Sequence, residues 1–144
     1  MKTLALTAAL LTAVGSPAQD NTTVVQHAAE AVAHLHDTML DPASFVLEGV
    51  YFTKPMRIAD KAHKGLGTYC YAFRSHNTMG GYSEGRAYED PVMHGKLTLV
   101  NADTDGNFMG YDAGFVSPCR TKNIDREITK DVAALAPSLY TKTK

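Results

Sequence analysis

The spacing of apolar and polar positions changes several times along the chain, and each change marks an element. Between residues 23 and 40, Val25, Ala28, Val32, Leu35 and Met39 recur at steps of three and four. That is the spacing of one helix face, so the segment predicts an amphipathic helix. His27, Glu30, His34, Asp37 and Asp41 fall on the opposite face, and His36 lies beside the apolar stripe. Asp41-Pro42 ends the helix, because a residue before proline is pushed out of the α region. Residues 44–53 are rich in β-branched and aromatic side chains and predict a strand.

A basic loop over 54–66 follows, carrying Lys54, Arg57, Lys61 and Lys64 against Asp60. Alternation over 67–75 and over 82–89, around the turn residues 76–81, predicts a β-hairpin. Residues 96–102 predict another strand, Asp103-Thr104-Asp105-Gly106-Asn107 a turn, and 107–111 a short strand. Asn123 is placed to cap a last helix, with Ile124, Ile128, Val132 and Leu135 as its narrow apolar face and Pro137 as its end. The order is helix, antiparallel strands, helix. It predicts an α+β domain: an N-terminal helix, an antiparallel sheet of about four strands, and a C-terminal helix on the same face.

The N-terminus has a different character. Met1-Lys2 is a short positive region, Thr3–Val14 an apolar run, and Ser16 and Ala18 put small residues at the −3 and −1 positions of a cleavage site. The pattern predicts a secretory signal peptide over 1–18 and a mature domain over 19–144. The apolar run is shorter than the roughly 20 residues that span a bilayer, and no second apolar run is long enough for a membrane helix, so the mature chain is expected to carry no stable membrane insertion. Export changes the reading of the two cysteines. Cys70 and Cys119 stand 49 positions apart with no C-x-x-C spacing, and a zinc site would need two further ligands. In an oxidising compartment they predict one disulfide. The formal net charge of −1 gives no electrostatic case for nucleic acid.

Several constellations could carry chemistry. Gly81-Tyr82-Ser83-Glu84-Gly85 matches the G-x-S-x-G pattern of a hydrolase nucleophile elbow, with His94 downstream as a base. That chemistry needs a strand-to-helix turn, whereas this pattern sits at the start of a strand. Asn101, Asp103, Asp105, Gly106 and Asp112 approach a calcium loop, although strands flank it and Asp stands at its twelfth position. His27, Glu30 and His34 share a helix face and could meet a metal, but such a surface set is more often a solvated polar face, and no metal site is assigned. Tyr69, Tyr71, Tyr82 and Tyr88 concentrate in the central hairpin, where tyrosine packs a core with its hydroxyl at the rim or supplies a binding surface. No cofactor is called for.

Leu40-Asp41-Pro42-Ala43-Ser44-Phe45 resembles the LKDPDSAKF opening of a group of small, uncharacterised exported bacterial proteins. Cys70 followed by Asn77-Thr78-Met79-Gly80-Gly81-Tyr82 resembles their C…KNxxGGY segment, with His76 where that group has lysine, and Cys119 matches their second cysteine. The resemblance covers about residues 39–119. It implies a bacterial periplasmic or secreted protein with a small α+β domain, and no activity to carry over. As a turn, the motif uses Gly80 and Gly81 for positive-φ positions and Asn77 to satisfy backbone groups. The expectation is an exported non-enzymatic domain that binds a protein or cell-envelope component, through Asn77, Gly80, Gly81 and Tyr82. The alternatives are a small secreted hydrolase, and an inhibitor or effector of another enzyme.

Overall fold

The computed structural model describes residues 20–55, 67–89, 96–100 and 119–142. Helix α1 (Asn21–Thr38) buries Val24, Ala28, Ala29, Val32, Ala33, Leu35 and His36. The buried face is wider than the sequence stripe and begins at Val24; Val25 and Met39 lie at its margin. The wider face includes three alanines, Ala28, Ala29 and Ala33. Beyond α1, Met39 turns extended and Pro42–Ser44 form a short 3-10 turn with proline at its start. The Ser44 hydroxyl donates to the Asp41 carbonyl (2.7 Å) and accepts the His76 amide (2.8 Å), which ties this corner to the sheet.

The sheet has five strands rather than about four. They are β1 (Val46–Thr53), β2 (Tyr69–His76), β3 (Tyr82–Glu89), β4 (Leu97–Val100) and β5 (Ile124–Glu127), in the order β4-β3-β2-β1-β5. Every pairing is antiparallel. The fifth strand corrects the sequence reading of a helix starting near Asn123. Ile124–Glu127 pairs with β1 through Tyr51↔Glu127, Phe52↔Arg126 and Thr53↔Ile124. Only after it does helix α2 (Thr129–Leu135) begin. Apolar residues four apart at Ile124 and Ile128 fit one helix face, but in the structure Ile124 and Arg126 are half-buried while Asp125 and Glu127 are exposed, the alternation of a strand. The open edge of β1, with its unpaired backbone groups, decides for the strand.

The register of β1 slips between Leu47 and Gly49, which face Phe73 and Ala72 on β2. This bulge inserts Glu48 without moving the core-facing set, so Leu47 on one side and Val50 and Phe52 on the other pack in the same layer. Both helices cover that layer. Val24, Val32 and Leu35 of α1 and Val132 of α2 close over Val50, Phe52, Tyr71, Phe73 and Ala87 of the strands. On the opposite face Cys70 of β2 is bonded to Cys119, both fully buried beside Tyr51 and Tyr88. The predicted disulfide is present, and it ties β2 to the segment entering β5.

Gly85 of β3 faces Phe73, and a Cβ there would lie 2.2 Å from the phenyl ring. The ring lies flat over the missing side chain. From it an aromatic series runs to the C-terminus: Phe45 on Phe73, His36 edge-on to Phe45, and Tyr140 stacked on His36 at 3.7 Å.

Candidate functional site

The β2–β3 hairpin tip brings together the four residues singled out in the sequence. Asn77 organises it. Its backbone N–H donates to the Gly81 carbonyl (2.8 Å) and its carbonyl accepts the Gly80 N–H (3.0 Å). Its side-chain oxygen accepts the Met79 and Gly81 amides at 3.0 and 3.1 Å, and its Nδ2 donates to the Ser83 hydroxyl at 3.1 Å. This is a three-residue loop with one left-handed position, as such hairpins require. Gly80 holds it, at φ +80°. Gly81 does not share it: among the described glycines Gly80 alone has positive φ, so one glycine and not two supplies that conformation.

The loop is rigid at its base and presents apolar groups outward. Met79 is 93% exposed and Tyr82 54%. The Tyr82 ring lies between His76, at 4.3 Å between centroids, and the Arg74 guanidinium, at 5.2 Å. His76 in turn pairs with Asp41 at 3.1 Å, next to Leu40, which is 69% exposed. Arg74 also pairs with Glu48, which stands near Arg86 as well.

The tyrosines of the hairpin divide. Tyr69 and Tyr71 pack in the core and Tyr88 beside the disulfide, whereas Tyr82 faces solvent. Ser83 lies inside β3, opposite Ser75, and β3 continues to Glu89 where a nucleophile elbow would turn into a helix. The G-x-S-x-G spacing therefore has a structural origin: Gly81 belongs to the turn and Gly85 makes room for Phe73.

A second cluster was hidden from sequence reasoning. His27 does not share a centre with Glu30 and His34; among the described residues no group of three or more metal-ligating side chains forms. Glu30 accepts from Gln26, and His27 Nε2 meets Glu89 Oε2 at 2.7 Å. The other oxygen of Glu89 accepts the Tyr71 hydroxyl at 2.8 Å, and the Tyr69 ring packs 4.7 Å from the imidazole. Burial, and then the charge of Glu89, push the Tyr69 hydroxyl up to about 12 and hold the Tyr71 hydroxyl well above its ordinary value, so both phenols stay protonated. The outer side of His27 borders a shallow groove of about 410 Å³ lined by Thr22, Thr23, Gln26 and Glu30. A glutamate at the end of a strand, 62 positions from its histidine, carries no local signal.

The calcium-like loop expected from Asn101 to Asp112, His63 and His94, the strand expected over 107–111, most of the basic loop and the signal peptide expected over 1–18 lie outside the described residues. Among the described residues no helix is long and apolar enough to cross a membrane. No protein-family model, curated protein or solved structure matches the chain significantly.

Proposed function

We propose that the chain is an exported, non-enzymatic domain that captures a protein or cell-envelope component on its β2–β3 hairpin tip. One observation carries this reading: Met79 and Tyr82 stand exposed on a loop that Asn77 has already locked. A pre-ordered loop loses little backbone entropy on binding, and aromatic residues dominate the energetics of contact surfaces. Leu40 and the contacts of the Tyr82 ring with His76 and Arg74 extend the apolar and aromatic character around the tip.

A periplasmic or secreted location fits the signal sequence, the buried disulfide and the resemblance to small exported bacterial proteins. In this reading no cofactor takes part and nucleic acid is not a partner. The test is capture from an envelope extract by the mature, oxidised domain. The double variant Met79→Asp, Tyr82→Ser changes side chains outside the core. It loses the contacts of Tyr82 with His76 and Arg74, so it is expected to fold within about 1 kcal/mol of wild-type stability, and to lose captured material at least about tenfold, a loss of about 1.4 kcal/mol. Undiminished capture by the variant would remove the tip from the binding surface.

A further inference from the structure

The carboxylate of Glu89 sits at the rim of the core with 6% of the residue exposed. A buried carboxylate is tolerated when its oxygens are hydrogen-bonded and its charge is matched. Here Tyr71 of β2 satisfies one oxygen and His27 of α1 the other. The series Tyr71–Glu89–His27 therefore crosses from the centre of the sheet, through the end of β3, to the second turn of α1. His27 is its solvent end: half of its side chain is exposed, so it can gain or lose a proton without unfolding.

We propose that this series is a proton-operated latch, in which the imidazolium of His27 clamps the first half of α1 on β2 and β3 and deprotonation loosens that half. A neutral imidazole still donates one N–H to Glu89, so the clamp weakens but does not vanish. The far half of α1 is held separately. Asp37 there accepts from the hydroxyl and amide of Thr141 and the amide of Lys142, and His36 stacks on Tyr140.

The groups around His27 set the direction. Glu89 faces it from β3, Tyr69 packs against it from β2, where Tyr71 bonds the other oxygen of Glu89, and Glu30 stands one turn along α1. From β5, Arg126 reaches the start of α1 at Asn21 and acts on Tyr69. The hydrogen bond to Glu89 raises the imidazole pKa most; burial opposes it, and the charges of Glu89 and Glu30 add to the rise. For a raised histidine pKa, the stabilisation is fully present below the unfolded value of about 6.5 and is lost as pH rises through the folded value.

The test combines an NMR pH titration of the full mature domain with thermal unfolding of wild type, His27→Gln and Glu89→Gln. Glutamine at 27 can keep a neutral hydrogen bond to Glu89 and removes the charge. The wild-type imidazole is expected to titrate above about 6.5, and the amide signals of Val24–Ala31 to move with the same midpoint while those around Asp37 do not. Glu89→Gln lowers that midpoint. The melting-temperature gap between wild type and His27→Gln shrinks by several degrees between about pH 5.5 and about pH 9. If Glu89→Gln fails to fold, the His27→Gln comparison decides, because that residue is half exposed. An imidazole midpoint at or below its ordinary value, a gap that does not change with pH, or signals moving equally along the whole helix would overturn the proposal.

Discussion

At the residue scale, the hairpin tip depends on two positions for different reasons. Gly80 has open space around its missing Cβ, so Gly80→Ala meets no neighbour and costs only the left-handed backbone, about 1 kcal/mol. Gly85→Ala drives a methyl group into the Phe73 ring and is expected to cost more, about 1–3 kcal/mol. Urea unfolding of the two variants checks the order; equal losses would mean that Phe73 moves aside freely. Asn77 was legible from the sequence as the residue that satisfies the turn, because Asn before a Gly-Gly pair has few other uses. Glu89 was not legible. Its role comes from the register Tyr69↔Glu89 and from the position of α1 over the end of β3, both set by tertiary packing.

Asp37 shows the same point with the opposite sign. The Thr141 hydroxyl first, and then the His36 imidazole, hold its carboxyl well below the usual carboxylate range. A lowered pKa gives anchoring that is present above the unfolded value and is lost as pH falls through the folded one. The Tyr140–Lys142 segment is therefore expected to stay docked on α1 through mildly acidic pH and to release only in strong acid. NMR line widths of residues 140–142 report it, and release near pH 5 would contradict the assignment.

At the scale of elements, the alternating and helical periods located α1, β1, β2 and β3 to within about two residues of their ends. The hairpin was clearest, because its strands alternate and its turn carries its own chemistry. The error at Ile124–Glu127 has a definite cause. Four residues are too few to separate period two from period 3.6, and Ile124 and Ile128 suit both. The structure separates them by burial: Ile128 is 3% exposed within the core, whereas Ile124 is only partly covered on the edge strand. Ile128→Ala is expected to cost about 2–5 kcal/mol. Ile124→Ala should cost clearly less, and similar losses in denaturant titrations would favour a continuous helix.

At the scale of the molecule, two helices close one face of the sheet while the disulfide anchors the other. Cys70 and Cys119 join β2 to the chain entering β5, on opposite sides of β1 in the sheet order. Closing a loop of that length constrains the unfolded chain by about 4 kcal/mol in the entropy model. Cys70→Ser, Cys119→Ser is expected to lose most of that stability in guanidinium unfolding, and a loss below about 1 kcal/mol would show that strain or residual structure cancels it. Helices at one face and a cross-link at the other leave the hairpin tip projecting with its apolar side chains uncovered.

The most direct measurement of the binding account is NMR mapping of the isotope-labelled, oxidised domain as envelope extract is added. The account predicts that signals of Asn77–Tyr82 and Leu40 shift or broaden first, with the groove beside His27 unaffected. Perturbation centred on that groove or on the disulfide face, with the tip unchanged, would contradict it.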